Sequence, residues 1–316
     1  MVWVLAIFGS AGRWRRTALL PPAHLTRRRR DRSRMTEPGY IHSFSKKEQD
    51  RLLKQALFLE PYFYPKIELS DCRRLLEIGC GVGAQIAIIA RRFPGLTIDG
   101  IDLMESQIGR ASRVLADLIR SERVNLAIAS GDALPFPDDY YDGACIFCVL
   151  EHIANPLAVL YETRRVLKPE GVLYCTEVFN SCLYIDPKCP AISEYWAAFN
   201  QYQLDMGGDP DIGMKLVNLA LAAGFKQIDF RDVSAVLDGR MALEAKRVEF
   251  IGYWRSLFLS ASESLIAEGR VAAATAAKLR REFDDLIANR NAVFMYQGKQ
   301  IKCRKRAAGV SGAIRH

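Results

Sequence analysis

The residues best suited by type and spacing to do chemistry are three acids (Glu77, Asp102 and Asp132), three glycines (Gly79, Gly81 and Gly83), and the adjacent pair Glu151 and His152. The glycines follow an apolar run (Leu75, Leu76, Ile78) and precede a helically periodic one (Ile86, Ile88, Ile89, Ala90). That order reads as strand, tight turn and helix. Glycine lets such a turn bring its backbone against a ligand, and the free N–H groups opening the helix favour an electron-rich guest. A nucleoside-type cofactor is therefore expected across the turn.

Two cofactor classes fit. Gly79, Gly81 and Ala84 satisfy the dinucleotide spacing G-x-G-x-x-A, in which a pyrophosphate sits on the helix N-terminus. Glu77, two residues before the first glycine, is a poor neighbour for a pyrophosphate and a good one for the ammonium of a methionine moiety. Asp102 closes the next apolar run, where a carboxylate can accept both ribose hydroxyls. Asp132 lies in the segment 130–136, after an apolar run at 126–129, and can take an adenine amino proton.

The stretch 77–83, Glu-Ile-Gly-Cys-Gly-Val-Gly, resembles the first motif of the class I S-adenosylmethionine-dependent methyltransferases. Asp102 is similar to that family's ribose-binding acid, and Asp132 with Ala133 to its adenine-binding pair. Residues 141–148 resemble its fourth strand and residues 167–173 the turn into its fifth, so the motifs run in family order across residues 73–178. The resemblance implies a Rossmann-like α/β fold, with a doubly wound, mostly parallel seven-stranded sheet and helical substrate-cover insertions. It implies S-adenosyl-L-methionine as cofactor and S-adenosyl-L-homocysteine as product. By the same resemblance, cofactor-binding roles fall on Tyr40, Glu77, Gly79, Gly81, Gly83, Asp102, Leu103, Gln107, Asp132, Ala133, Phe147 and Cys148. Tyr40 is the lid aromatic of that set, and Phe147 and Cys148 line the methionine end. Glu151 and His152 follow the fourth strand, whose end faces the methyl group in this fold. They are the candidate catalytic residues, with His152 either a general base or a residue that orients backbone. No metal-ligand cluster is evident. The strand also lacks the Asn/Asp-Pro-Pro-aromatic sequence of enzymes that methylate exocyclic amines of nucleic-acid bases.

Charge and composition bound the rest. The 316 residues carry a formal net charge of +8. Nine arginines against one acid, Asp31, lie in residues 1–34, which leaves 35 basic and 35 acidic side chains in the remainder. A neutral body argues against a nucleic-acid partner. The apolar residues 2–8 are too few to span a bilayer, and arginines follow them where a secretory signal would have them precede. Residues 1–34 are expected to be a disordered or non-native extension, an organelle transit peptide being the other reading. Cys145 and Cys148 have C-x-x-C spacing inside an apolar strand, where buried thiols in a reducing cytoplasm are the expectation.

These residues need elements to hold them. Residues 35–72 are expected to form a helical lid capped by Ser45 in a capping box with Glu48, its apolar face carrying Leu52, Leu53, Ala56, Leu57 and Leu59. Residues 73–178 form the cofactor core, and 179–212 an aromatic insertion with Tyr184, Tyr195, Trp196, Phe199 and Tyr202. Residues 213–233 add a core helix and strand, 234–291 a helical substrate cover with Tyr253 and Trp254, 292–303 the last strand, and 304–316 a basic tail. Aromatic residues at helical spacing more often fill a core than form a cage, though a cover rich in Tyr and Trp also suits a flat or amine-bearing small molecule whose cation ring faces would hold. The function expected is methylation of the nitrogen or oxygen of a small metabolite by in-line displacement. A protein or RNA methyltransferase, a nicotinamide-dependent oxidoreductase and a non-catalytic cofactor-binding module are the alternatives.

Overall fold

The computed structural model describes residues 45–306. The described residues begin with α1 (Lys46–Phe63), followed by β1 (Arg74–Ile78), α2 (Ala84–Arg92), β2 (Thr97–Asp102), α3 (Glu105–Val114), α4 (Ala116–Arg120), β3 (Val124–Ile128) and β4 (Tyr141–Phe147). Then follow α5 (Pro156–Val166), β5 (Leu167–Asp186), α6 (Pro190–Asp205), α7 (Leu216–Ala222) and β6 (Phe225–Leu237). The chain continues through α8 (Glu244–Leu259), α9 (Ser262–Ala267) and α10 (Ala273–Ala288) to β7 (Val293–Lys305). The seven strands form one sheet in the order β3-β2-β1-β4-β5-β7-β6. Pairing is parallel from β3 to β5, and β7 runs antiparallel to both its neighbours. This is the doubly wound, mostly parallel sheet expected.

Alternation along the strands explains the layers. Leu75, Cys145, Phe147, Val172 and Tyr174 face one side, with Ala56, Leu59 and Phe63 of α1 and Ile86, Ile88 and Ile89 of α2. Leu76, Ile78, Ala144, Ile146, Leu173 and Cys175 face the other, under α5 and α7. Strands buried on both faces read as continuous apolar runs, which is how β1 and β4 appear in the sequence. A third core joins Tyr195, Trp196 and Phe199 of α6 to Trp254 and Phe258 of α8, Phe283 of α10 and Phe294 of β7. Trp196 stacks on Phe258 at 4.2 Å and on Phe199 at 4.9 Å.

Several sequence expectations change here. β5 runs through position 178 to Asp186, so the aromatic insertion opens as strand and only then as α6. β6 extends past position 233 to Leu237, and β7 takes in two residues assigned to the tail, ending at Lys305. Both extensions have one cause: β7 pairs with β5 on one side and β6 on the other, so all three strands lengthen together. Ser45 does cap α1, accepting the Glu48 N–H at 3.2 Å, but the Glu48 carboxylate turns to Arg51 at 2.5 Å instead of closing a capping box. The apolar face of α1 is also displaced. Leu57 is 60% exposed, whereas Glu48, Gln49 and Arg51 are buried, because Gln49 donates to the Ser106 carbonyl and the Gln107 side chain of α3 and Glu48 pairs with Arg51. Among the described residues, no helix is long and apolar enough to cross a membrane.

Candidate active site

The glycine turn sits between β1 and α2, at the carboxyl end of the parallel strands where ligands of open α/β sheets bind. Gly79 has φ +71°, and a Cβ there would lie 2.5 Å from the Val149 side chain, so the turn is pressed against the segment after β4. Gly81, at φ +51°, has nothing within 4 Å of the equivalent position. The turn is thus packed below and open above.

Asp102 braces that turn. One carboxylate oxygen accepts the Gly81 N–H at 2.9 Å and the other the Met104 N–H at 2.9 Å. Burial raises its carboxyl, and the N–H groups of Met104, Gly81 and Leu103 pull it back down. Glu77 is 1% exposed, its Oε2 has no hydrogen-bond partner, and burial, with Asp102 adding to it, pushes its carboxyl well above the usual range. A buried carboxylate oxygen without a donor is rare and marks a place for a cation or a proton. The orphaned oxygen and the open space over Gly81 fit a nucleoside that brings an ammonium.

The other predicted cofactor residues fall in two groups. Leu103 is 52% exposed beside Asp102, and Asp132 and Ala133 are exposed on the loop after β3, with the Ser130 hydroxyl donating to Asp132 at 2.5 Å. These line the open side. Gln107 and Phe147 are instead enclosed. Gln107 accepts from the Gln49 side chain of α1 at 3.1 Å, and the Phe147 ring packs between Phe63 and Tyr64 at 6.1 and 5.6 Å. Cys148 leaves β4 at φ +54°, its N–H donating to the Thr176 carbonyl at 2.9 Å. Tyr40 lies outside the described residues.

Glu151 and His152 lie on a single 3-10 turn after β4, Leu150–His152. His152 Nε2 is 3.6 Å from Glu151 Oε1, and Gln203 of α6 donates to Glu151 Oε2 at 2.9 Å. What the sequence reading missed stands beside them. Glu177 of β5 is 1% exposed and accepts the Val149 and Leu150 N–H groups at 2.9 and 2.8 Å through one oxygen, while its Oε2 has no partner. Burial, then the neighbouring Glu151, raise its carboxyl to about 8 against the pull of those N–H groups. The signal was present: Glu177 is the one charge within the apolar run Val172 to Phe179. Cys148, Tyr253 of α8 and Tyr296 of β7 are half-buried, and burial raises the thiol and both phenols. The field of Glu151 reaches all three.

Sheet order, glycine turn and acidic strand ends together define a class I, S-adenosylmethionine-dependent methyltransferase domain. Residues 76–175 match the family described as "Methyltransferase domain". Among similar proteins is an O-methyltransferase of Aspergillus sclerotiorum, 27% identical over 171 residues, which are 53% of this chain and 60% of that one. Another is a sterol 24-C-methyltransferase of Gibberella zeae, 27% identical over 185 residues, 57% of this chain and 46% of that one. The chain thus spans about half the length of these curated relatives. Phosphoethanolamine N-methyltransferase 2 of Haemonchus contortus, solved with S-adenosyl-L-methionine, shares the fold at a TM-score of 0.52 and 17% identity, over 84% of this chain and 57% of that one.

Proposed function

We propose that the chain transfers a methyl group from S-adenosyl-L-methionine to a nitrogen or oxygen atom of a small metabolite. The observation that carries this reading is the buried, unpartnered Glu77 Oε2 beside a glycine turn that is open above Gly81 and braced by Asp102. In this reading Glu77 takes the methionine ammonium, Asp102 the ribose hydroxyls, and Leu103, Asp132 and Ala133 the adenine. Cys148 borders the methionine end, and Gln107 and Phe147 support the site by fixing α1 over it. When bound, the cofactor supplies an electrophilic methyl group. The protein's part is to align donor and acceptor and to exclude water.

A small acceptor is favoured over a protein or RNA because α6 holds the turn after β4 through Gln203 on Glu151, and aromatic side chains of α1, α8 and β7 pack on one another, Phe58 on Tyr253 and Trp254 on Tyr296. The relatives named above as O- and C-methyltransferases, one of them acting on a sterol, support the same class. A cytoplasmic location suits eight cysteines that are all free. The test is a thermal-shift comparison of the full chain with S-adenosyl-L-methionine, S-adenosyl-L-homocysteine and NAD⁺. A ligand at about a hundred times its Kd adds roughly 2.7 kcal/mol. Stabilisation by the two sulfur nucleosides alone supports the reading. Stabilisation by NAD⁺ alone makes residues 79–84 a dinucleotide turn and overturns it.

A further inference from the structure

Granted the methyltransferase reading, the segment that borders both the glycine turn and the methionine end is the turn after β4, residues 148–152. Cys148 bends the chain there at φ +54°, a left-handed conformation that a side chain adopts only where its surroundings impose it. One side chain holds the next two residues. Glu177 of β5 accepts the Val149 N–H at 2.9 Å and the Leu150 N–H at 2.8 Å on a single oxygen. Leu150 is fully buried, so without that oxygen its N–H would go unpaired. On its far side the same turn meets the glycines. A Val149 γ-carbon lies 2.5 Å from where a Gly79 Cβ would stand, so the Val149 side chain fills the floor under Gly79.

The neighbours of Glu177 show that reach, and not charge, fixes it. Lys299, opposite Glu177 in the β5–β7 register, gives its ammonium to Asp232 at 2.5 Å and to Gln297 at 3.2 Å. The titratable groups whose fields meet Glu177 are Glu151, Cys148 and Cys175, none of them a cation. At neutral pH a carboxyl raised to about 8 keeps its proton. Glutamine therefore matches it in shape and in neutrality, with the amide nitrogen at Oε2, which has no partner to lose. Aspartate would draw the clamping oxygen back by roughly one C–C bond, about 1.5 Å.

We propose that Glu177 is a positioning residue for methyl transfer: from β5 it sets the turn after β4, which through Val149 and Cys148 sets the floor of the glycine turn and the methionine end of the cofactor site. Glu177 acts through that turn and touches neither cofactor nor acceptor. Gln203 of α6 holds the turn further on, donating to the Glu151 carbonyl at 3.2 Å and to its carboxylate at 2.9 Å, and the Asp209 N–H meets that carbonyl at 2.8 Å. Those contacts fix Glu151, whereas the Val149 and Leu150 N–H groups rest on Glu177.

The test is a calorimetric titration of the full chain with S-adenosyl-L-homocysteine at neutral pH, with the melting of each unliganded protein measured beside it. Glu177→Gln is expected to bind within about threefold of wild type, and Glu177→Asp more than about tenfold more weakly. An affinity of Glu177→Asp within that tenfold leaves the residue a merely structural part, whatever its melting point, and overturns the proposal. A larger loss than threefold in Glu177→Gln overturns it too. Should Glu177→Asp not fold, amide hydrogen exchange on the wild type reads the same coupling: the bound nucleoside is expected to slow exchange at Val149 and Leu150 by about tenfold or more, and a smaller change overturns the proposal. A wild type that does not bind the nucleoside strikes the methyltransferase reading instead, so the two failures are distinguishable.

Discussion

Two buried carboxylates flank β4, Glu77 on β1 and Glu177 on β5, and each leaves its Oε2 without a partner. Their surroundings differ. Glu77 lies beneath a glycine turn that opens outward, next to a second acid that also binds backbone. Glu177 is anchored by two N–H groups of the turn after β4 and is 1% exposed. The first arrangement presents a charge to a nucleoside arriving at the edge of the sheet. The second keeps a carboxyl on two backbone N–H groups while burial opposes its charge. Each strand beside β4 thus carries one buried carboxyl oxygen without a partner.

The comparison breaks most severely at the turn itself. Gly79→Ala puts a Cβ 2.5 Å from Val149 at φ +71°, and is expected to cost about 3 kcal/mol of stability through left-handed strain plus the clash. Gly81→Ala, with open space around it, should cost no more than about 1–2 kcal/mol and show its effect in cofactor binding. Urea denaturation of both variants separates the two. Next in size, Asp102→Ala removes an acceptor for two backbone N–H groups and for the ribose, and should weaken S-adenosyl-L-homocysteine binding by about 2 kcal/mol. A calorimetric titration with unchanged affinity would remove Asp102 from the site.

The acids themselves can be told apart by pH. Glu177 titrates near 8 in the folded protein against 4.5 as its ordinary value. Between those values the folded state holds a proton that the unfolded chain has released. Its contribution is therefore most favourable below about 4.5 and is lost as pH rises towards 8, by up to about 1.4 kcal/mol per pH unit. Glu177→Gln should flatten that decline and melt higher than wild type at pH 8, as differential scanning across pH 5–8 would reveal. Glu77, also raised, must ionise to meet an ammonium. Nucleoside affinity should then climb as pH rises, by at most about tenfold per unit, and Glu77→Gln should remove the climb. The smallest effect is expected from His152→Ala. With its Nε2 turned to Glu151, this histidine supports the turn, and its loss should change nucleoside affinity less than about threefold, under 1 kcal/mol.

How much of this was legible in the sequence follows the same division. Glu77, the glycines, Asp102 and Asp132 belong to a continuous strand–turn–helix–strand pattern, where function and local geometry are written in neighbouring residues. The doubly wound, mostly parallel sheet followed from the resemblance those residues carry. Glu177 of β5 and Gln203 of α6 reach the turn that bears Glu151 from distant parts of the chain, and no local period relates them. The inward polar turns of α1 defeated an apolar-face argument because that argument takes for granted what the helix covers. Phe147 and Gln107 are enclosed by α1, since position along a strand or helix says where a side chain starts and not what leans on it.

The placement of β7 between β5 and β6 has a consequence for how the chain is made. β6 has no other neighbour in the sheet, and β5 has only β4 until residues 293–305 exist. During synthesis at about 5–20 residues per second, the edge of β5 stands open for roughly 6–24 seconds after Asp186 is made. The newborn protein must shield two long strand edges over that interval, and a ribosome-associated chaperone would find them there before the cover can close.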